Sequence, residues 1–406
     1  MLRSTALPSF VRILAPAAFL LSLASSGVAQ SAPAPEATAR LAAALQRDVN
    51  AYLKDRAAEE HLSSLSVSVS LGKHQPTIDV TAGTTKFAGG RPVRPTDLYQ
   101  IGSNTKAFTA VAVLQLEAQG RLSIDAPIGR YLPQYPAYAK LTLRRLLSMT
   151  GGLESYDNLP AWENAYAKDP HARVSADSEI RLVYPKLKYP PGTKYYYSNT
   201  GYLLAQEVVA SQSPSRSFDA EMTRIIASAG LEHTFYTSHL YPPAIAGQVV
   251  AGYYENNEAG LAKFIGSDMS GYSLSWAQGA GSIVSTPGDL IVWARALYQG
   301  TTLLPEKQKR ELLSLVSTKT ARALTAPTEE DPSGFGLGVS ARLDPKLGTF
   351  WFYQGETLGF RAAHLYFPSS DLVVSIFANS RPTESNSKLQ ELFGTIHATI
   401  AASNKP

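Results

Sequence analysis

The pattern of apolar and polar residues predicts strands at both ends of the chain and helices between them. Residues 65–71 alternate strictly between apolar and polar side chains, which predicts a half-buried β-strand. A turn over 73–76 separates this strand from a second one over 77–81, so the two form a hairpin. Ahead of the hairpin, residues 36–60 carry Leu and Val at helical spacing and predict an N-terminal helix.

The stretch from Leu98 to Gly120 predicts a short strand followed by a long apolar helix that begins near Ser103. Ser103 and Lys106 are three residues apart and therefore share one face of this helix. Burial of that face would favour the neutral amine of Lys106, which can then take the proton of the Ser103 hydroxyl. The positive end of the helix dipole favours the anion that forms.

The middle of the chain indicates helices and few strands. Helical patterns there cover residues 141–149, 175–187, 202–210 and 218–230. After a further helix over 289–297, the pattern predicts four strands, over 336–341, 350–354, 361–367 and 372–378, and a closing helix over 387–400. The glycines within 334–338 indicate an interrupted strand rather than a phosphate-binding loop.

We therefore expect an α/β (α+β) protein with an antiparallel sheet of five or more strands, built from the first hairpin and the last four strands. The N- and C-terminal helices would flank this sheet. In this division, residues 30–120 and 275–406 form the sheet lobe, and residues 121–274 form an inserted, mainly helical lobe.

The N-terminus has the features of a secretory signal peptide over residues 1–29. Arg3 and Arg12 supply positive charge, residues 13–23 form an apolar run, and Gly27-Val28-Ala29 is a small-x-small cleavage site. The apolar run is too short and too interrupted for a transmembrane anchor. We therefore expect no stable membrane anchor after cleavage.

Composition narrows the class of protein. The formal charge is +4 without a block of Lys or Arg, so no nucleic-acid partner is predicted. The chain has no cysteine, which excludes disulfides and a thiol nucleophile. None of the seven histidines lies in a zinc-binding spacing, so we expect neither a metal nor another cofactor. An exported chain of this kind is typical of a bacterial periplasmic or secreted protein, and we expect a monomer.

A second dense stretch, PPGTKYYYSNTGY, covers residues 190–202. Tyr197 and Asn199 lie two residues apart at a turn before a helix, so their side chains can face one cleft. A phenol near a lysine can shuttle protons, and an asparagine amide can bind a substrate carbonyl. The alternative is an aromatic cluster that fills an interface between lobes.

Neither spacing is specific by itself. Further copies of Ser-x-x-Lys and Tyr-x-Asn occur at Ser70/Lys73, Ser385/Lys388, Tyr156/Asn158 and Tyr254/Asn256. Only the Ser103 copy lies between a strand and a long apolar helix, and its alternative is an ordinary helix-capping serine beside a solvated lysine. The chain has no Gly-x-Ser-x-Gly, so an α/β-hydrolase arrangement is not supported.

Ser103-x-x-Lys106 followed by Tyr197-x-Asn199 resembles the serine β-lactamase/penicillin-binding-protein superfamily, and more closely its class C β-lactamase and serine DD-carboxypeptidase branch. Other segments that read like this branch are 115–125, 141–153, 191–202 and 275–285, so the resemblance covers roughly residues 62–380. It implies a β-lactamase/transpeptidase-like fold and acyl transfer through an acyl-enzyme. Among the members of this branch, the sequence most resembles the secreted DD-carboxypeptidase/transpeptidases.

The resemblance also implies roles for residues of this chain. Ser103 would attack a carbonyl while Lys106 and Tyr197 move the proton. The oxyanion hole would consist of the backbone N–H groups of Ser103 and Glu356. Asn199 would orient the substrate.

At its third motif the chain departs from the branch, which has Lys or His, then a hydroxyl or small residue, then Gly. Tyr353 replaces the cation and Gln354 replaces the hydroxyl residue, whereas Gly355 still allows close approach of a backbone. Gln354 would help to orient the substrate. A cation here would pair with a substrate carboxylate, and Tyr353 offers only a neutral hydrogen bond. This argues against carboxylate-dependent β-lactam hydrolysis, although Arg361 is a candidate for the missing charge.

We predict a serine hydrolase, most closely a D-alanyl-D-alanine carboxypeptidase-like peptidase. Its partner would be a small-molecule or peptide acyl donor, that is, a peptidoglycan stem peptide, a β-lactam or an ester. A carboxylesterase, a D-aminopeptidase and a class C-like β-lactamase are alternatives within the fold. A non-catalytic binding domain on the same scaffold is an alternative of another class.

Overall fold

The computed structural model describes residues 35–403. The predicted signal peptide over residues 1–29 lies outside them. Within the described part, no helix combines the length and the apolar character needed to cross a membrane.

The helices and strands are numbered in chain order. The helices are α1 (Pro35–Arg56), α2 (Thr105–Ala118), α3 (Leu143–Leu147), α4 (Pro160–Lys168), α5 (Ala176–Arg181), α6 (Asn199–Gln212), α7 (Phe218–Ser228), α8 (Pro243–Ala246), α9 (Pro287–Tyr298), α10 (Glu306–Leu312) and α11 (Leu389–Ser403). The strands are β1 (Ser64–Ser70), β2 (Ile78–Gly83), β3 (Tyr99–Gln100), β4 (Phe235–Tyr236), β5 (Tyr253–Glu255), β6 (Ile283–Ser285), β7 (Leu315–Ser317), β8 (Ala323–Leu324), β9 (Ser333–Phe335), β10 (Ser340–Asp344), β11 (Gly348–Glu356), β12 (Arg361–Phe367), β13 (Leu372–Ala378) and β14 (Ser380–Pro382).

Nine strands form one antiparallel sheet in the order β2-β1-β13-β12-β11-β10-β9-β7-β8. The N-terminal hairpin joins the C-terminal strands where β1 pairs with β13, from Leu65 opposite Ala378 to Ser70 opposite Val373. This confirms the predicted antiparallel sheet of five or more strands. The sheet thus joins strands from residues 64–83 with strands from residues 315–378.

Helices cover both faces of the centre of the sheet. On one face α1 and α11 pack together against it, and Leu45, Val49 and Ile396 are wholly buried there. The other face carries the larger apolar cluster, which includes α2 and α9. In that cluster the rings of Phe108 and Trp293 stack with centroids 3.6 Å apart. The terminal helices therefore flank the sheet as predicted.

Strand β1 is buried on both faces, whereas its alternating pattern predicted one face in water. The serines of its polar face lie under other elements. Ser64 Oγ is 2.9 Å from the Tyr99 hydroxyl, and Ser70 Oγ accepts a hydrogen bond from Arg295 on α9 at 2.9 Å. Hydrogen bonds to neighbouring side chains replace water here, so period-two alternation did not distinguish solvent from a polar contact.

The predicted strand over 336–341 is interrupted between β9 and β10. At the break, Gly338 has a φ of +78°, and a Cβ there would lie 2.8 Å from the carbonyl oxygen of Lys106. The glycine therefore lets the chain pass close to the start of α2. The predicted strand before Ser103 is short as well, since β3 has two residues and belongs to a separate three-stranded sheet with β6 and β4.

The region from 121 to 274 contains α3 to α8 and the short strands β4 and β5. The helix predicted over 141–149 is shorter in the structure, where α3 has five residues and the Thr142 hydroxyl caps it by accepting from the Arg145 N–H. Helix α4 has no counterpart in the prediction, although Pro160 occupies the first helical position that proline favours. The division of the chain into two lobes stays a prediction.

Candidate active site

Ser103 lies in a single 3₁₀ turn, Gly102–Asn104, between β3 and α2. The turn is anchored on one side because the Ile101 N–H donates to the carbonyl of Ile283 on β6 at 2.9 Å. Ser103 is half-buried and stands at the N-terminal end of α2. That position favours negative charge on its oxygen.

Lys106 contacts Ser103 directly. Its Nζ donates hydrogen bonds to Ser103 Oγ at 2.9 Å and to the carbonyl oxygen of Ala280 at 2.8 Å. The side chain is wholly buried, and both of these partners are neutral. The structure therefore holds the amine against the hydroxyl that sequence spacing paired with it.

Tyr197 joins this pair from the second dense stretch of sequence. Lys106 Nζ lies 5.0 Å from the centroid of the Tyr197 ring and 5.4 Å from that of Tyr202. The Tyr197 side chain is 36 % exposed, so its face reaches the surface of the site. The two motifs, about 90 residues apart in sequence, thus meet in the fold.

Tyr353 stands behind Tyr197 on β11, with the two hydroxyl oxygens 3.2 Å apart. Tyr353 is 3 % exposed. Burial, together with the neighbouring Tyr197 phenol, raises the pKa of Tyr353 well above its ordinary value of 10. A neutral phenol therefore occupies the position at which the related branch has a cation.

Strand β11 runs close to the Ser103 turn near Glu356. The N–H of Thr357 donates to the carbonyl of Phe360 at 3.0 Å and closes the hairpin to β12. Because hydrogen-bonded and non-hydrogen-bonded pairs alternate, the preceding Glu356 points its N–H away from β12. A Cβ on Gly355 would lie 2.6 Å from the backbone nitrogen of Ser103, so glycine permits this approach. A Cβ on Gly102 would likewise lie 2.6 Å from the backbone nitrogen of Glu356, so both nitrogens lie at the contact between β11 and the turn.

Asn104 braces the turn from inside the protein. Its Nδ2 donates to the carbonyls of Ile101 and Ala362 at 2.9 and 3.0 Å, and its Oδ1 accepts from His364 Nδ1 at 3.0 Å. Burial lowers the pKa of His364 to about 3, so the ring is neutral and its Nε2 accepts from the Tyr298 hydroxyl at 2.9 Å. His364, predicted to be packed or on the surface, is packed.

Asn199 is the first residue of α6 and lines the cleft beside Ser103. Its Nδ2 donates to Asp157 Oδ2 at 2.7 Å, and its own backbone N–H donates to Ser155 Oγ at 2.9 Å. Its Oδ1 is buried and has no partner within residues 35–403. One amide N–H expected to bind a substrate carbonyl is thus taken by Asp157.

The cleft beside Ser103, with a volume of about 120 Å³, is lined by Asp157, Glu258, Glu356 and Arg381. Arg381 donates to both carboxylate oxygens of Glu258 at 2.9 and 3.0 Å, and its Nε lies 3.6 Å from Glu356. Three carboxylates and one guanidinium give these side chains a formal charge of −2. The cation among these four side chains therefore pairs with Glu258, while its buried Nε has no hydrogen-bond partner within residues 35–403.

Two further predicted residues lie outside this cleft. Arg361 is wholly buried, pairs with Glu60 at 2.6 Å and donates to the carbonyl of Ser380 at 2.9 Å, so it is not available to a substrate. Gln354 is exposed and donates to Glu356 at 3.1 Å. It lines a larger, neighbouring groove together with Glu356 and Arg381.

Sequence reasoning missed several residues of the site. None of the motifs found in the sequence includes Asn104, Ala280 or Arg381. Ala280 does lie in segment 275–285, which resembles the related branch. The Tyr156-x-Asn158 copy of the second motif gave a usable indication, because Asp157 and Asn158 line the cleft. Within residues 35–403, no three His, Cys, Asp or Glu side chains are grouped so that they could hold a metal ion.

The sequence of the chain is similar to those of known proteins. The family profile described as Beta-lactamase matches residues 49–394. Penicillin-binding protein 4* of Bacillus subtilis (strain 168) is 26 % identical over 283 residues, which are 68 % of this chain and 60 % of that protein. A protein of Escherichia coli (strain K12), provisionally named a D-alanyl-D-alanine carboxypeptidase, is 26 % identical over 288 residues, 64 % of this chain and 63 % of that protein. The matches thus span less than two thirds of either relative.

Among solved structures, the D-amino acid amidase from Ochrobactrum anthropi SV3 complexed with D-phenylalanine is similar to this chain with a TM-score of 0.75. The comparison covers 90 % of this chain and 100 % of the amidase, at 21 % sequence identity. This likeness concerns the fold, and it confirms the mixed α/β architecture with a large antiparallel sheet.

Proposed function

We propose, from the premise that this chain belongs to the beta-lactamase family and is a serine hydrolase, that it hydrolyses small amides whose acyl part carries a free amino group. The observation that carries the proposal is the charge of the cleft. Asp157, Glu258 and Glu356 line it, and among the described lining residues the single guanidinium, Arg381, forms an ion pair with Glu258 and lies 3.6 Å from Glu356. An ammonium group on the substrate complements this charge.

The chemistry is acyl transfer through Ser103. Its Oγ attacks the carbonyl carbon while its proton passes to Lys106, with Tyr197 completing the transfer to the leaving amine. The N–H groups of Ser103 and Glu356 bind the oxyanion, and losing one such donor raises the barrier by about 3–4 kcal/mol. The amine leaves, an ester to Ser103 remains, and water attacks that ester to regenerate the hydroxyl.

The leaving group of this substrate is uncharged. Tyr353 supplies a neutral phenol where a cation would pair with a terminal carboxylate, and Arg361 pairs with Glu60 inside the protein. A carboxylate brought into the site would meet no unpaired cation among the cleft-lining residues and would face like charges instead. Primary amides and amides of small amines avoid this repulsion.

A D configuration of the acyl part is included in the proposal. It follows the name of the Ochrobactrum anthropi amidase, whose fold is shared. The amino group would lie near Asp157, and the unpartnered Oδ1 of Asn199 offers a further acceptor. These two side chains are hydrogen-bonded to each other and line the Ser103 cleft together.

The test is hydrolysis of D-alaninamide, L-alaninamide and N-acetyl-D-alaninamide. We expect the D-amide to be the best substrate, and acetylation to lower kcat/KM by about tenfold or more because it removes the charge that the carboxylates pair with. Ser103→Ala should abolish turnover and labelling by a fluorophosphonate. A preference for the acetylated amide would overturn the role of the free amino group.

A D-alanyl-D-alanine carboxypeptidase is the second candidate, favoured by the names of the two sequence relatives. It predicts that N-acyl-D-alanyl-D-alanine releases D-alanine faster than D-alaninamide releases ammonia. Export to a bacterial periplasm or to the medium, and a monomeric state, are further proposals. Export rests on the N-terminal sequence pattern and is tested by fractionation, and the monomeric state is tested by light scattering.

A further inference from the structure

A second pocket adjoins the cleft through two shared tryptophans. Trp162 and Trp276 line both the Ser103 cleft and a pocket of about 240 Å³. Their rings meet edge to face with centroids 5.1 Å apart. Tyr166 and Leu182 contribute further apolar surface to the second pocket. A substituent on a molecule bound at Ser103 can therefore extend past the tryptophans into an apolar space.

One buried carboxyl group interrupts this apolar lining. Glu179, on α5, is 5 % exposed, and its buried Oε2 has no hydrogen-bond partner within the described part of the chain. Burial, with a contribution from the negative charge of Asp157, raises the pKa of Glu179 to about 7. Leaving such a group unpaired is unfavourable for folding, so its presence calls for a partner that residues 35–403 do not supply.

The other charged side chain that lines the pocket is also acidic. Asp169 lines it at the end of α4, and none of the described residues that line it is Lys, Arg or His. A carboxyl group in apolar surroundings is best satisfied by a cation that brings its own apolar stem. The indole faces of Trp162 and Trp276 favour a cation as well.

We propose that this pocket binds an aliphatic chain ending in an ammonium group, with Glu179 as its counter-ion. The chain would belong to the acyl part of a substrate whose carbonyl is held at Ser103, and in this respect the proposal rests on the proposed function. An aliphatic ammonium neutralises the charge of the Glu179 carboxylate that lines the pocket, whereas a neutral chain of the same length leaves this charge uncompensated. Glu179 is thereby a specificity-determining residue.

The experiment measures binding of n-hexylammonium and of hexan-1-ol through the fluorescence of Trp162 and Trp276, two of the four tryptophans in the chain. Near pH 8, where the Glu179 carboxyl is mostly ionised, we expect the ammonium to bind about tenfold or more tightly than the alcohol. Glu179→Gln should remove this difference. The matched comparison is Asp169→Asn, which neutralises the exposed carboxylate lining the same pocket and should reduce this difference much less than Glu179→Gln does.

Equal affinity for the two probes, or an unchanged difference in Glu179→Gln, would overturn the proposal. Glu179→Asp keeps the charge and should retain part of the preference, so the test stands if one variant folds poorly. Binding of these probes requires no turnover. If the unmodified protein shows Glu179-dependent binding but hydrolyses no amide, the proposed function alone is refuted. If it hydrolyses the amides but does not bind the ammonium in this way, the proposed role of the Glu179 pocket alone is refuted.

Discussion

The phenolic oxygens of Tyr197 and Tyr353 lie 3.2 Å apart at the edge of the Ser103 site. Tyr353 stands where the related branch places Lys or His. Because burial raises the pKa of Tyr353 well above 10, it holds the Tyr197 hydroxyl as a neutral partner and brings no charge. Tyr353 can therefore form a hydrogen bond at this position, but it has no positive charge that would attract an anion.

Tyr353→Lys should shift the substrate preference toward compounds that end in a carboxylate. An ammonium at this position would pair with the carboxylate, and a hydrogen bond to a charged group contributes about 1.5–3 kcal/mol. We expect kcat/KM for N-acyl-D-alanyl-D-alanine, and acylation by a fluorescent penicillin, to rise by about tenfold or more. Steady-state kinetics and intact-mass spectrometry measure the two effects.

The control is Tyr353→Phe, which removes the hydroxyl without adding a charge. It should weaken the positioning of Tyr197 and lower kcat for D-alaninamide without promoting penicillin acylation. If the Phe and Lys variants behave alike toward penicillin, the charge at this position does not determine the choice of substrate.

Stability in acid should depend on His364. Its pKa falls from 6.5 to about 3 in the folded protein, so the unfolded chain takes up a proton first as the pH decreases. The free energy of unfolding should therefore fall between about pH 6.5 and pH 3, by roughly 4 kcal/mol from this residue. Urea denaturation across this range should be less pH-dependent in His364→Gln, in which an amide can still donate to Asn104. An equally steep profile in the variant would assign the acid sensitivity to other groups.

Glu179 should have the opposite effect on stability. Its pKa rises from 4.5 to about 7 on folding, so the folded protein retains a proton that the unfolded chain releases, and stability is lost as the pH rises through this interval. Glu179→Gln should therefore raise the free energy of unfolding at pH 8 by about 3 kcal/mol, with little change near pH 4. Asp169→Asn, at an exposed carboxylate, should leave the profile unchanged. A destabilised Gln variant at pH 8 would show that the carboxylate has a partner in the folded protein.

The sequence predicted best those parts of the fold that depend on residues close together in the chain. The predicted bounds of β12 and β13, residues 361–367 and 372–378, coincide with the observed strands, since each is an apolar run between turn residues. Ser103 and Lys106 were paired correctly because one helical turn sets their distance.

The sequence could not predict contacts between segments that are far apart in the chain. The face of Arg361 was undetermined because β12 is buried on both sides, so alternation carries no information about solvent. The pairing of Arg381 with Glu258 joins residues 123 positions apart. Glu179 reaches its pocket only because α5 packs beside the segment that carries Trp276. Such contacts follow from tertiary packing and have no local pattern.

Gly355 provides the most direct test of the proposed oxyanion hole. A Cβ at this position would lie 2.0 Å from the carbonyl oxygen of Ile101 and 2.6 Å from the backbone nitrogen of Ser103, so Gly355→Ala must push β11 away from the turn. The N–H groups of Ser103 and Glu356 would then no longer converge, and we expect kcat to fall by about 100-fold to 1,000-fold. Fluorophosphonate labelling should slow in parallel.

The matched control for this substitution is Gly394→Ala in α11. No heavy atom lies within 4 Å of a Cβ built there, and alanine in place of a helical glycine stabilises by up to about 1 kcal/mol. This variant should keep full activity and melt at the same or a higher temperature. If Gly355→Ala is as active as Gly394→Ala, the close approach of β11 does not position the oxyanion donors, and the N–H of Glu356 must be replaced in the mechanism by another group. A fall in kcat at Gly355 without loss of secondary structure would instead tie catalysis to the spacing between β11 and the Ser103 turn.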